Sequence, residues 1–540
     1  MLTGTPVILL REGTERATGK DALHENIAAA RAVAESVRST LGPRGMDKMM
    51  VDSLGDVVIT NDGATILKTI EIQNPAGKML AEVAKAQDQE CGDGTKSSVI
   101  LTGELLKRAE ELLDERVHAT LIVQGYRMAA EQAVKLLREI ARPVRRSDTD
   151  LLKRIAMTSM MSKGVAGDRE LLADLAVRAV DAAVEESGDR LVFDRKNVQI
   201  VKRNGEKISD SELLFGHVVQ REPARQDMPK SVRNARIAIL EAALEVKKTE
   251  FGSEIRITEP SQIQSFLDQE AKMLEVMANA VLAAGANVVL VEKGIADPVA
   301  QSLSKAGVYA VSRVPRKDLE LIAKATGARL TDRAVDLSEA ELGQAALVEE
   351  RRFGEDRLTF LTGAPHARSV SLLIRGGTEH VVDEVERSIV DAISTVGLAL
   401  EDGLVTTGAG AACAELALRL REYAGSVGGR EQMAVRAFAD ALEIIPSTLA
   451  ENAGMDTIGT LLELRRRHAE GDLHAGVDVL HGKVSDMREA AVEPLRVGLQ
   501  ILQGATETAS MLLRIDDVIS SKSSSPGGRG GHPKSRGIEE

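Results

Sequence analysis

The segment Gly92-Asp93-Gly94-Thr95-Lys96-Ser97-Ser98 lies between two helical patterns and opens the second. A helix N-terminus offers unpaired N–H groups and a partial positive charge, which suits phosphate. Glycines let a backbone approach a ligand closely. Asp93 supplies a hard oxygen of the kind Mg²⁺ takes together with phosphate oxygens. No G-x-x-x-x-G-K-[ST] run is present and no strand precedes the loop, so a Walker P-loop is excluded. A second Gly-rich helix end is Thr40-Leu41-Gly42-Pro43-Arg44-Gly45, and a third is Thr407-Gly408-Ala409-Gly410-Ala411. Asp62, in Val57-Val58-Ile59-Thr60-Asn61-Asp62-Gly63, follows an apolar strand-like run, and Asn-Asp-Gly predicts a hairpin turn. Asp383, Glu384, Glu386 and Asp391 lie on one helical stretch, with Asp391 near the face of Asp383. Taken singly, each is also what a capped helix end, a turn or a solvated helical face looks like. Together, several Gly-rich helix ends with carboxylates fit a nucleotide–Mg²⁺ site.

The elements that must position these residues fall into three blocks. Ile27, Ala30, Val33, Ala34, Val37 and Leu41 recur with helical period, and Gly42-Pro43 stops that helix. Further helices are expected at 76–90, 97–116 and 119–141. From about 197 to 385, short β-type runs (Val198–Val201, Ile237–Leu240, Val288–Val291, Ala310-Val311, Ser371–Ile374) alternate with helical patterns at 262–284 and 298–306, which predicts an α/β block. Helical text returns at 383–400, 411–424 and 431–449. One helical domain interrupted by an inserted middle is the economical arrangement.

Composition narrows the class. The chain has 540 residues, 43% hydrophobic and 28% charged, with a net charge of −13. That suits a multi-domain globular protein and argues against a general nucleic-acid binder, which needs a basic surface. Two cysteines allow no disulfide framework beyond one bridge, and ten aromatics with no Trp argue against a base-stacking platform. No run nears the ~18 apolar residues that span a bilayer. Val7–Leu10 is too short for a signal core and lacks a basic leader, so a short strand and a cytoplasmic location are expected. The Ser/Gly-rich tail from Ser520, with 522–540 as its own segment, is expected to be disordered.

Long phrases then identify a family. Thr40-Leu41-Gly42-Pro43-Arg44-Gly45-Met46-Asp47-Lys48, Thr60-Asn61-Asp62-Gly63-Ala64-Thr65-Ile66-Leu67, Asp383-Glu384-Val385-Glu386-Arg387-Ser388, Leu449-Ala450-Glu451-Asn452-Ala453-Gly454 and Val492-Glu493-Pro494-Leu495-Arg496-Val497 resemble the group II chaperonins, the archaeal thermosome and its eukaryotic cytosolic relatives. The resemblance covers about residues 5–521. It implies an ATP-dependent chaperone, an ATPase that encapsulates and folds non-native proteins in a double ring. The implied fold is multi-domain. A mainly α-helical equatorial domain takes 1–145 and 401–521. An α/β intermediate domain takes 146–214 and 367–400. An α/β apical domain takes 215–366, with a helical lid protrusion at about 250–280 around Ile257-Thr258-Glu259-Pro260-Ser261-Gln262. Implied partners are identical or paralogous subunits, about eight or nine per ring, and non-native clients. No separate lid protein, nucleic acid or membrane is implied.

Carried over by position, Asp93 resembles the Mg²⁺ ligand, and Asp62 and Asp391 the catalytic carboxylates that position and deprotonate water. Gly63, Gly92, Gly94, Thr95, Lys96, Ser97 and Ser98 fall in or beside the phosphate loop, and Thr40, Leu41, Gly42 and Pro43 in the second phosphate turn. Gly408, Ala409, Gly410, Val477 and Glu493 match the nucleoside side, and Lys163 resembles the γ-phosphate sensor. Two positions depart from the family: Lys96 stands where a hydroxyl residue is usual, and Ala409 where glycine is. Either the Lys96 ammonium replaces a monovalent cation, which puts K⁺ as a cofactor in question, or it points to solvent. Ala409 adds a methyl group beside the nucleoside. A rival reading is a scaffold subunit with weak ATPase. A metabolic kinase is disfavoured, because no small-substrate motif appears.

Overall fold

The structure is a computed structural model that describes residues 14–521 apart from 52–54, 56, 164–166, 189, 247–259, 354–355 and 366–369. The expected strand at Val7–Leu10, most of the expected tail and the first part of the expected protrusion lie outside the described residues. Ser520 and Ser521 belong to the strand Asp517–Ser521, which pairs antiparallel with Thr14–Thr18 and ties the two ends together.

The first helical block comprises α1 (Gly19–Arg38), α2 (Gly63–Thr69), α3 (Pro75–Cys91), α4 (Thr95–Asp114) and α5 (Ala119–Glu139). The periodic residues Ile27, Ala30, Ala34 and Val37 are buried, so the apolar stripe of α1 faces inward as its spacing demands. The first part of α4 is buried on every side, Ser98 to Leu106 without a break, and occupies the middle of the block. Asn61-Asp62-Gly63 is not a hairpin turn. Strand Val57–Thr60 pairs antiparallel with Lys48–Val51, but the chain reverses before it, and the triplet starts α2 with Asp62 as N-cap. A carboxylate followed by an amphipathic run caps a helix as readily as it turns a hairpin.

Next come α6 (Thr149–Ser159) and α7 (Arg169–Ala183). They share a core with the three-stranded sheet of Val198–Asn204, Val370–Gly376 and Glu212–Leu214. The largest sheet runs Tyr309–Val311, Val288–Val291, Ser231–Leu240, Gly343–Phe353, Asp356–Thr362, Gly216–Val219. Along this path the first two pairings are parallel and the rest antiparallel, and Leu330–Thr331 adds a further parallel pairing to Ser231–Leu240. The runs Ile237–Leu240 and Val288–Val291 are apolar throughout because both faces are covered. Ile237, Ile239, Val288 and Leu290 enter one core, and Ala238, Leu240, Val289 and Val291 the opposite one. Helices α8 (Pro260–Ala283), α9 (Asp297–Lys305) and α10 (Arg316–Thr326) flank this sheet.

The long α11 (Glu379–Asp402) leads back to the helical part. There, α12 (Ala411–Ala424), α13 (Glu431–Leu442), α14 (Ile444–Asn452), α15 (Thr457–Ala469) and α16 (Leu495–Leu512) pack with α1, α3, α4 and α5 into one continuous core. The single helix expected over 431–449 is two helices, broken at Glu443. Pro446, four residues beyond Leu442, has no N–H for that carbonyl and crowds it, so α13 stops there, and the buried Glu443 carboxylate is held at the break by Arg421 and Arg465. Among the described residues, no helix is long and apolar enough to cross a membrane.

Candidate active site

The Gly-rich loop takes the shape its glycines permit. Gly92 (φ +67°) ends α3 and Gly94 (φ +80°) caps α4, both in the left-handed region. No side chain caps α4. Thr95, Lys96 and Ser97 therefore meet a cleft of about 220 Å³ at a bare helix N-terminus. Asp93 sits between the two glycines. Its Oδ1 accepts the Gly94 N–H at 2.6 Å, and its carbonyl accepts Gln87 Nε2 at 2.8 Å. Burial raises the proton affinity of Asp93, against the Gly94 N–H, Lys163 and Lys96. Ser98 does not open onto the cleft: its Oγ donates to Thr95 O at 2.8 Å and its N–H to Gly94 O at 3.0 Å.

Among the described residues, no three His, Cys, Asp or Glu side chains form a complete metal cage. Asp93 accepts a single protein hydrogen bond and keeps lone pairs, the hard oxygen donors that a divalent cation such as Mg²⁺ takes beside phosphate and water.

Leu41, Gly42 and Pro43 form the opposite wall of the loop end of the cleft. Lys96 does not point to solvent. Its Nζ reaches back to Thr40 O (3.1 Å) and Ser162 Oγ (3.4 Å). Burial and the nearby Lys163 lower its pKa, while Asp62, Asp93 and Asp391 act the other way. Gly63 makes room for this side chain, because a Cβ there would lie 2.7 Å from Lys96 Cγ.

Asp62 and Asp391 face a neighbouring cavity of about 620 Å³. Asp62 Oδ2 accepts from Thr65 N (2.8 Å) and Thr65 Oγ1 (2.7 Å), which fixes the carboxylate at the start of α2. Burial pushes its pKa up, but Lys163, the two Thr65 bonds and Lys96 outweigh it and hold it low. Asp391, midway along α11, pairs with Lys163 Nζ, which also donates to Arg387 O at 3.2 Å. Burial pushes Asp391 up to about 8; Lys163 opposes the shift, and Asp62 and Asp93 add to it. Burial also penalises the Lys163 ammonium, but Asp391 and Asp62 hold it charged. The environments thus push the two carboxyls apart, one ionised and one with a proton affinity near neutrality, the separation that acid–base chemistry uses.

The far end of the cleft is apolar, lined by Ile445, Leu449, Val477, Leu480 and Met487. Ala409 and Gly410 form its rim, and Ala409 O accepts the Val477 N–H at 2.9 Å. Ala409 is one of four described non-glycine residues at positive φ (+54°). Glu493 lines the cleft, pushed up to about 7 by burial and by Asp93. Gly408 backs Glu493 without lining the cleft, since a Cβ there would lie 2.5 Å from Glu493 Oε1.

The sequence reading missed Thr158, Ser162, Asp478, His481 and Met487, all on the cleft wall. Asp478 and His481 pair at 2.8 Å in the hairpin Ala475–Asp478/Lys483–Asp486. The Asp and Gly that flank the turn, Asp478 and Gly482, are the sequence signal that could have marked this hairpin.

The cleft therefore has a phosphate-suited end and an apolar end, and Asp93 and Lys96 on its wall interact electrostatically with Asp62, Asp391 and Lys163 beside it. The model of the TCP-1/cpn60 chaperonin family matches residues 33–523. The chain is 53% identical to thermosome subunit beta of Archaeoglobus fulgidus over 538 residues, 99% of each chain. It is 49% identical to thermosome subunit alpha of Thermoplasma acidophilum over 534 residues, 98% of each. An open-state monomer of a group II chaperonin from Methanococcoides burtonii matches at TM-score 0.61 and 41% identity, covering 78% of this chain and 100% of that one. The chain belongs to the TCP-1/cpn60 chaperonin family. Within it, the chain is of the group II, thermosome type: an ATP-dependent chaperone with the multi-domain chaperonin fold, which assembles into rings of subunits.

Proposed function

We propose that this subunit hydrolyses Mg·ATP in the cleft at the Gly92–Ser98 loop, with Asp62 and Asp391, which face the cavity beside it, as the carboxylates that orient and deprotonate water. The observation that carries this reading is the buried Lys163–Asp391 pair. It brings a lysine from the turn after α6 and a carboxylate from α11 to the loop that holds Asp93. Phosphoryl transfer depends on positioning and charge neutralisation more than on covalent help.

Each residue then has a part. The N–H groups of Thr95, Lys96 and Ser97, with the Thr40–Pro43 turn, receive phosphate oxygens. Asp93 would hold Mg²⁺, which would supply neutralisation of phosphate charge. Asp62, ionised and fixed by Thr65, orients the attacking water, and Asp391 takes its proton. Ala409, Gly410, Val477 and Glu493 receive the nucleoside, and Lys163 links the γ-phosphate position to α11. Lys96 fills a cation position with its own ammonium, so turnover needs no K⁺.

In this reading 1–145 with 401–521 forms the equatorial domain, 146–214 with 367–400 the intermediate domain, and 215–366 the apical domain. The segment at about 250–280 supplies the lid, rings hold about eight or nine subunits, and non-native proteins in the cytoplasm are the clients. Movement of α11 would complete the site and report ATP to the apical domain. ATP turnover and ATP-dependent refolding of a denatured client by the assembled protein test it. Loss of both in Asp391→Ala supports the reading; no turnover in the wild-type protein refutes it.

A further inference from the structure

Gly92 stands in the phosphate loop, yet it does not line the cleft. Its open side faces α11. A Cβ at Gly92 would lie 2.6 Å from Ser394 Cβ and 2.9 Å from Ser394 Oγ, with Asp391 Cα at 4.0 Å. The contact is part of a short ruler along α11. Asp391, Ser394 and Leu398 follow one another at helical spacing and share a face. Leu398 is anchored in a small core with Cys91, Val497 and Ile501, directly beside the loop. Ser394, whose Oγ is tied to Val390 O at 2.8 Å, rests on Gly92. Asp391, one turn further, reaches Lys163.

We infer that Gly92 is a positioning residue for hydrolysis: its bare Cα is the seat on which α11 docks, and the seat sets how closely Asp391 approaches the site around Asp93. The inference rests on the reading of Asp391 as a catalytic carboxylate. A methyl group at Gly92 must back off from 2.6 Å to an ordinary carbon–carbon contact of about 3.5–4.0 Å. That moves α11 and Asp391 outward by about 1 Å, and a misplacement of this size can cost about 100-fold in rate. Thr95, Lys96 and Ser97 line the cleft, which Gly92 does not, and keep their hold on nucleotide.

The test uses the assembled full-length protein, with ATP turnover and equilibrium binding of a fluorescent ADP analogue measured side by side. Gly92→Ala should lower kcat about 100-fold while KM and analogue affinity stay within about threefold. Adding Ser394→Gly clears the clash, leaving only the strain of an L-residue at φ +67°, and should restore at least about tenfold of the loss. Ser394→Leu presses on the seat from the helix side with the loop intact. It should also lower kcat without weakening binding, which keeps the test open if Gly92→Ala does not assemble. Equal losses of kcat and analogue affinity, no rescue in the double variant, or normal turnover in Ser394→Leu would overturn the seat. Asp391→Asn separates the two readings. If it retains full turnover, the role given to Asp391 has failed; if it abolishes turnover while both seat variants turn over normally, the seat alone has failed.

Discussion

Replacing Lys96 with threonine removes an ammonium and leaves a hydroxyl with space beside it. In the wild-type protein, Nζ is held by two neutral acceptors, Thr40 O at 3.1 Å and Ser162 Oγ at 3.4 Å, inside a site with three aspartates. Lys163 is the other cation acting on those aspartates. A hydrogen bond to a charged group contributes about 1.5–3 kcal/mol, so losing the ammonium from a site that must bind triphosphate should cost about 10- to 150-fold in kcat/KM. The vacated space keeps the Thr40 carbonyl and the Ser162 hydroxyl, oxygen ligands for a potassium ion. The assay is steady-state phosphate release in buffers whose only monovalent cation is sodium, potassium or a bulky organic ammonium. Wild-type turnover should be equal in all three. Lys96→Thr should be slow in sodium and recover most of its loss in potassium. Lys96→Met keeps the stem, fills the space and should be slow in every buffer. Steep potassium dependence of the wild type, or full turnover of Lys96→Thr without potassium, would refute the reasoning.

Other outcomes follow from the same contacts. Ala409 holds φ +54°, a conformation that costs an L-residue roughly 1–2 kcal/mol, so Ala409→Gly should raise stability by about 1 kcal/mol in chemical denaturation. Glu443→Ala leaves Arg421 and Arg465 without their shared carboxylate at the α13–α14 break; because both arginines are partly exposed, the loss should be about 1–3 kcal/mol. Glu415 is buried against His468 (2.7 Å) and Arg419 (2.6 Å). Burial raises its pKa, but these partners bring it below the ordinary value. A depressed carboxyl stabilises the fold fully above its unfolded pKa of about 4.3. That contribution fades as pH falls through the folded value, so Glu415→Gln should flatten the acid limb of a stability-versus-pH curve below about pH 4.

Much of this molecule was readable in its residues, for definite reasons. The stripe Ile27, Ala30, Ala34, Val37 faces the core because a period near 3.6 leaves no other face to bury. The alternation within Ile237–Leu240 and Val288–Val291 was hidden, since both faces are covered and every residue is apolar. Asp93 and its glycines were visible because a loop with two left-handed positions needs them. The break between α13 and α14 was legible in Pro446, which has no N–H for the Leu442 carbonyl and crowds it, although the helical pattern over 431–449 passed over it. Two features depended on contacts between distant segments. Lys96 turns inward because Gly63 vacates space and Thr40 and Ser162 offer oxygens. The wall formed by Asp478 and His481 joins the cleft through the hydrogen bond from Val477 to Ala409. Local spacing carries no record of such pairings.

The most direct measurement is single-turnover hydrolysis of radiolabelled ATP by assembled wild-type and Asp391→Asn protein, with nucleotide affinity measured on the same samples. Asparagine keeps the size and removes the base, so affinity should stay within about threefold while the hydrolysis step slows by about 10²–10⁴-fold. Hydrolysis in Asp391→Asn within about threefold of wild type would contradict a water-activating role for α11.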